Sequence, residues 1–185
     1  CHAANVGAFD ALANGVVSCG SIMVPCPWFR EAADLARANP HLDLGVHLTL
    51  NAEWPSYRWG PVAGRDRVPS LLDEQGYLPR TLLEVLRAAK PEQVEIELRA
   101  QIETALAAGI DVTHLDSHMG TVLLDPFVGI YAKLAQEYRL PVFAAHPDPD
   151  VLERAGLGAF VEVMRRGAEH ITAAGLPILD GVELF

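Results

Sequence analysis

The sequence has few cysteines and no long apolar run. Its three cysteines, at positions 1, 19 and 26, are odd in number and form no Cys-x-x-Cys spacing, which argues against a disulfide framework or a structural zinc site. No apolar stretch approaches the roughly 18 residues that a membrane span needs, and no charged leader with an apolar run indicates a signal peptide. These absences favour a reducing compartment, and we predict a cytoplasmic location.

Positive charge is also scarce. The chain has 14 Lys and Arg against 24 Asp and Glu, a net charge of −10. Such an acidic chain lacks the field that attracts nucleic acids or anionic membranes, and we expect neither as a partner. A Gly-rich phosphate loop, a dinucleotide fingerprint and a Gly-x-Ser-x-Gly elbow are all absent from the sequence, which argues against nucleotide-binding enzymes and serine hydrolases.

The composition is that of a folded domain. The chain has 185 residues, of which 50% are hydrophobic, enough for a substantial core. Without an internal repeat or a break in composition, we predict a single domain over residues 1–185. Because the chain opens on Cys-His and ends on Gly-Val-Glu-Leu-Phe, we expect a leading and a trailing element of this domain to lie beyond these ends.

Apolar periodicity alternates between helical and extended segments. It predicts helices over residues 2–14, 28–38, 81–89, 92–108, 126–138 and 158–174. It predicts strands over residues 16–24, 42–50, 111–116 and 140–144, and a further strand from 177–179. Strands separated by helices indicate a parallel sheet, so the predicted fold class is α/β. Residues 51–69, rich in Pro, Gly and Trp, form a longer loop than usual, which we expect to cover a site.

The predicted strand LDLGVHLTL at 42–50 has one apolar and one mixed face. The apolar face carries Leu42, Leu44, Val46, Leu48 and Leu50. The other face carries Asp43, Gly45, His47 and Thr49. A parallel strand that is buried on both sides is normally apolar on both faces, so we predict that the mixed face lines a cavity. His47 is a candidate ligand there, although a lone histidine can also be a packed core residue.

The sequence Thr-His-Leu-Asp-Ser-His at 113–118 is the stronger candidate site. An extended backbone would point His114, Asp116 and His118 to one side, at the carboxyl end of a strand, where α/β barrels place active sites. Three such groups are costly to bury without partners, and a divalent cation satisfies them. We therefore predict a metal or catalytic site, although two histidines and one carboxylate do not define its reaction.

Three aromatic residues in the long loop, Trp54, Tyr57 and Trp59, are candidates for substrate binding. Exposed aromatic rings beside a polar site suit stacking against a sugar ring. Packing within the loop explains them equally well, so both interpretations stay open.

Five blocks of the sequence resemble the YdjC-like carbohydrate deacetylase family in content and order. They are NVGAFDALANGVVSCGSIMV, GVHLTL, VPSLLDEQGYL, THLDSHMGT and LAQEYRLPV, and they extend from residue 5 to residue 142. The family includes chitooligosaccharide deacetylases and a hopanoid-biosynthesis branch. The resemblance implies a variant, incomplete (β/α) barrel and a metal-dependent hydrolase that removes acetyl groups from N-acetylated sugars or oligosaccharides.

The resemblance also implies a site. By it, His47 and His118 are ligands of one divalent ion, zinc or magnesium. The third ligand and the general base would come from an Asp-Asp pair that we expect upstream of Cys1. Asp116 and His114 match positions with supporting catalytic roles, and a small-molecule carbohydrate is the implied partner.

One position departs from the family pattern, and other functions stay open. The family often continues as Ser-His-x-His, whereas this sequence has Gly120 in place of the further histidine, which puts a proton-shuttling role there in doubt. The alternatives are a metal-dependent phosphoesterase, which would need more ligands for a two-metal centre, and a non-catalytic carbohydrate-binding relative. The sequence also leaves open a homodimer.

Overall fold

A parallel sheet lies at the centre of the fold. The computed structural model describes residues 1–154, 156 and 158–181. Strands β1 (Cys19–Ile22), β2 (Asp43–Leu48) and β3 (Val112–Ser117) pair in the order β1-β2-β3, all parallel. Isolated parallel bridges join Leu115 to Val142 and Ala145 to Leu179, where the sequence predicts two further strands. The α/β class is confirmed; across the described ranges the sheet is open, and a closed barrel is not observed.

Helices connect the strands. They are α1 (His2–Asn14), α2 (Phe29–Ala38), α3 (Leu82–Ala88), α4 (Pro91–Ala107), α5 (Val128–Tyr138), α6 (Pro149–Arg154) and α7 (Val161–Ala173). Short 3₁₀ helices cover Pro69–Leu71, His118–Leu123 and Gly158–Phe160. The sequence did not predict α6. Residues 182–185 of the apolar C-terminal stretch lie outside the described residues. Within the described helices, none is long and apolar enough to cross a membrane.

Helix α4 shows why these segments adopt their local structure. Pro91 stands at its first turn, where the missing N–H has no helical partner to lose. Its buried apolar residues recur every three or four positions, which gives one continuous face against the sheet. These residues are Val94, Leu98, Ile102 and Ala105.

The apolar face of β2 forms the middle of the core. Leu44, Val46, Leu48 and Leu50 are at most 4% exposed, as the alternation predicts. The prediction that Thr49 lines a cavity is wrong. Thr49 is fully buried beyond the end of β2, because the side chain of Gln101 on α4 bonds its backbone N–H and C=O at 2.9 and 2.7 Å.

A bulge interrupts the pairing of β2 with β3. Leu44 pairs with Val112 and Val46 with Leu115, so β3 has one residue more than β2 between these pairs. After the bulge the register is regular, and His47 pairs with Asp116. The register thus places two candidate site residues side by side.

Candidate active site

Three of the four predicted ligand or catalytic residues meet where β2 and β3 end. His47 Nδ1 lies 2.8 Å from Asp116 Oδ1, and His47 Nε2 lies 3.3 Å from His118 Nδ1. The other nitrogen of His118, Nε2, lies 2.8 Å from Glu53 Oε2. The four side chains form a line of carboxylate, imidazole, imidazole and carboxylate.

This line determines where each ring carries its proton. An ionised carboxylate can only accept, so neutral His47 donates from Nδ1 to Asp116 and neutral His118 donates from Nε2 to Glu53. The remaining nitrogens then present lone pairs to each other at 3.3 Å. Facing lone pairs repel each other, so the arrangement is favourable only with a cation, a proton or a metal ion, between the rings.

The pair has the chemistry of part of a metal site. Two imidazole nitrogens bound to tetrahedral zinc at about 2.0–2.1 Å lie about 3.3–3.4 Å apart, in agreement with the observed 3.3 Å. A carboxylate on the rear nitrogen is also usual for metal-ligating histidines. Among the residues that the structure describes, no group of three His, Cys, Asp or Glu side chains could hold a metal ion. The two imidazoles fit a metal ion with at least one further ligand.

Burial acts on His118 in a way that suits a ligand. Its side chain is only 12% exposed. Loss of solvation lowers the pKa of His118, although the adjacent Glu53 carboxylate acts in the opposite direction. The lowered pKa favours the neutral ring, and neutral imidazole is the form that binds metals.

Sequence reasoning missed two residues of this cluster, Ser21 and Glu53. Ser21, on β1, donates from Oγ to Asp116 Oδ2 at 2.8 Å, and its oxygen lies 3.2 Å from His47 Nδ1. Glu53 lies in the loop that follows β2. The available signal was positional, because residues at the carboxyl ends of neighbouring parallel strands meet at one edge of the sheet.

His114 does not join the cluster, which corrects the prediction that it converges with Asp116 and His118. Its Nδ1 lies 2.8 Å from Thr113 Oγ1 and 3.5 Å from Asp43 Oδ1, at the amino ends of the strands. The physical reason is the bulge in β3, which places His114 against Gly45, one layer before the paired His47 and Asp116. The ring packs over Gly45, where a Cβ atom would lie 2.5 Å from His114 Nε2.

The aromatic residues of the long loop have different surroundings. Trp54 is 59% exposed, and Tyr57 is half-buried. The expectation of an exposed ring is wrong for Trp59, which is 3% exposed because its Nε1 donates to the backbone oxygen of Asn51 and its ring packs 6.1 Å from that of His118. Contact between any of these rings and a sugar stays a prediction.

A tight turn follows His118 directly. Met119 and Gly120 both have positive φ values, 52° and 69°. No heavy atom lies within 4 Å of the position that a Cβ of Gly120 would take, so a side chain would find open space there. The left-handed backbone itself favours glycine.

Comparison with known proteins identifies the family of this chain. The family model for YdjC-like proteins matches residues 1–182. The chain belongs to the YdjC-like family. The resemblance that the sequence blocks indicated is confirmed.

Several relatives in this YdjC-like family are named carbohydrate deacetylases. The protein from Thermus thermophilus is 41% identical over 156 residues, which is 84% of this chain and 52% of that protein. The protein from Thermoanaerobacter pseudethanolicus is 31% identical over 153 residues, 83% of this chain and 59% of that protein. The chain thus spans between half and three-fifths of these two relatives.

A crystal structure from Enterococcus faecalis V583 has a similar fold. It superposes with a TM-score of 0.69 at 31% identity and covers 85% of this chain and 59% of that one. That protein is described as a proposed cellobiose-phosphate cleavage protein.

Proposed function

We propose that this YdjC-like protein is a metal-dependent hydrolase that removes acetyl groups from N-acetylated sugars or oligosaccharides. One observation carries the proposal: His47 and His118 face each other at 3.3 Å, each with a carboxylate behind it, at the carboxyl end of parallel strands. The relatives named carbohydrate deacetylases support the substrate class. We also propose that the open sheet is part of an incomplete (β/α) barrel, because parallel strands and bridges succeed one another with helices between them.

In this proposal His47 Nε2 and His118 Nδ1 hold one divalent ion, zinc or magnesium. Such an ion, when bound, polarises an acetamide carbonyl and lowers the pKa of bound water. Asp116 and Glu53 each accept a hydrogen bond from the N–H of one ring and so leave the other ring nitrogen free as a ligand. Ser21 holds the second oxygen of Asp116 through its hydroxyl group.

The supporting residues take distinct roles in this proposal. Both Asp116 oxygens are engaged by other side chains, so Asp116 acts through His47 as a positioning residue. His114 supports the site from the layer below, through its packing on Gly45. Trp59 shields His118 from solvent, and the exposed Trp54 is the proposed stacking surface for a sugar ring.

The direct test measures acetate release from N-acetylglucosamine oligomers by the protein with added zinc or magnesium. We expect acetate release, and we expect its loss in His47→Ala and His118→Ala, because each variant removes a proposed ligand. His41→Ala is the matched control, since His41 is an exposed histidine outside the site.

Three outcomes would contradict the proposal. Metal-loaded protein that releases no acetate from any such oligomer would exclude this substrate class. Release of phosphate from a phosphate ester would favour the phosphoesterase alternative. Sugar binding that persists in both histidine variants, without turnover, would favour a non-catalytic carbohydrate-binding relative.

A further inference from the structure

The buried polar side chains of the described chain are concentrated behind the candidate site. They are Thr49, Asn51, Glu97, Gln101 and Thr121, all fully buried. Asn51 and Thr121 bond each other, while the other three form a second network between α4, the end of β2 and the long loop. Burial of polar groups is costly unless they are hydrogen-bonded, so we ask what these two networks hold in place.

Glu97 is the centre of the second network. Its Oε1 accepts from the backbone N–H of Val62 and from Gln101 Nε2 at 2.9 and 2.7 Å, and its Oε2 accepts from the backbone N–H of Ala63 at 2.9 Å. All three partners are donors, which suits an ionised carboxylate, although burial raises the pKa of Glu97. No ion pair to Glu97 is found among the described residues.

The two backbone contacts of Glu97 hold the long loop. Residues 51–68 contain no helix or strand, yet Glu97 bonds two consecutive amides near the middle of this segment. Trp59 precedes the first of these amides by three residues and packs against His118. Glu97 therefore fixes the part of the loop that covers His118.

The contact of Glu97 with Gln101 holds the end of β2. Because the Gln101 amide group must turn Nε2 towards the Glu97 carboxylate, its Oε1 faces the Thr49 N–H. Nε2 also donates to the Thr49 C=O, so Gln101 pairs with this backbone as a neighbouring strand would. Thr49 lies two residues after His47, so this pairing fixes the chain next to the first imidazole.

We propose that Glu97 is a positioning residue of the candidate site, which holds the Trp59 loop over His118 and, through Gln101, the end of β2 beside His47. It contacts neither histidine and acts only through these two segments. The effect on turnover rests on the proposed function, whereas the effect on the loop does not.

The test is hydrogen–deuterium exchange resolved at single amides, in the protein and in Glu97→Gln. In the unmodified protein we expect the Val62 and Ala63 amides to exchange slowly, although they lie in a loop. In Glu97→Gln an NH₂ group replaces one carboxylate oxygen and faces either the Ala63 N–H or the donors of both Val62 and Gln101. Exchange of at least one of the Val62 and Ala63 amides should therefore rise about tenfold or more, while β3 amides stay unchanged. Glu103→Gln is the matched control, because Glu103 is exposed on the same helix.

Activity supplies a second measurement. Under the proposed function, acetate release per metal-loaded molecule should fall about tenfold in Glu97→Gln and remain unchanged in Glu103→Gln. Fast exchange of Val62 and Ala63 in the unmodified protein would overturn the proposal without any variant. An equal rise of exchange throughout the sheet would also overturn it, because Glu97 would then serve only global stability. A protein that never releases acetate contradicts the proposed function, and the exchange data still decide the role of Glu97.

Discussion

Replacement of Gly45 by alanine tests whether the close packing of β2 on β3 is as the structure shows. The new Cβ would lie 2.5 Å from two ring atoms of His114 and 2.7 Å from its backbone oxygen. Carbon atoms are in favourable contact at about 3.5–4.0 Å, so the overlap is about 1 Å. The ring can rotate away, but the backbone oxygen lies in the bulge between two paired positions of β3 and moves only with a shift of the strand backbone.

Overpacking of this kind typically costs about 1–3 kcal/mol, and contact with backbone places Gly45→Ala at about 2–3 kcal/mol. With an unfolding slope of about 2 kcal/mol per molar urea, the midpoint should fall by about 1–1.5 M. Gly129→Ala is the matched control: Gly129 lies in α5 with no heavy atom within 4 Å of its new Cβ, so this variant should be stabilised by about 0.5–1 kcal/mol.

A double variant separates the two sources of overlap. In Gly45→Ala with His114→Ala the ring overlap disappears and the backbone overlap stays, so adding Gly45→Ala to His114→Ala should cost less than adding it to the unmodified protein. Urea unfolding followed by circular dichroism measures both steps. If Gly45→Ala alone changes the free energy of unfolding by less than about 0.5 kcal/mol, the described strand packing is wrong.

Three further predictions concern the site and one helix end. Asp116→Asn should weaken zinc binding about 10–100-fold, as measured by calorimetry, because His47 loses its orienting carboxylate. Asp34→Asn on α2 is the control and should leave the zinc affinity unchanged. Equal zinc affinities of Asp116→Asn and the unmodified protein would contradict the proposed role of Asp116. Burial lowers the pKa of His118 in the folded protein, so on acidification this imidazole is protonated in the unfolded chain before it is protonated in the folded one. The free energy of unfolding should therefore fall as the pH drops below 6.5, the ordinary pKa of histidine. Urea unfolding at pH 7.5 and 5.5 measures this loss of stability, which should be smaller in a variant that lacks the His118 imidazole. The same loss of stability in the variant and in the unmodified protein would refute the lowered pKa of His118. Thr81→Ala should cost about 0.5–2 kcal/mol by thermal unfolding, because Thr81 and Glu84 form the capping box of α3, and a variant as stable as the parent would mean that the box is not formed.

The predictions that succeeded depend on short-range pattern. Alternation places the apolar face of β2 in the core, and the helical spacing over 92–108 predicts the helix observed as α4, because both periods follow from backbone geometry alone. The position of His118 directly after a strand was also visible in the sequence. In each case the residues that define the pattern are neighbours along the chain.

The predictions that failed concern contacts between segments that are distant along the chain. The bulge in β3 places His114 against Gly45, and the approach of α4 buries Thr49 against Gln101. A bulge leaves no periodic signal of its own, because it is an adjustment between two strands rather than within one. Likewise, the burial of Trp59 follows from how the loop folds back.

The sequence by itself determined the fold class and the family and identified the two candidate histidines, since these follow from local periodicity and from short motifs. Tertiary structure alone decided what surrounds those histidines. Glu53 lies 65 residues before His118 and Ser21 lies 95 residues before Asp116, yet each pair is in hydrogen-bond contact. Contacts over such separations are created when parallel strands align and loops close over their carboxyl ends, and these contacts give each ring its proton position and leave the two facing nitrogens free.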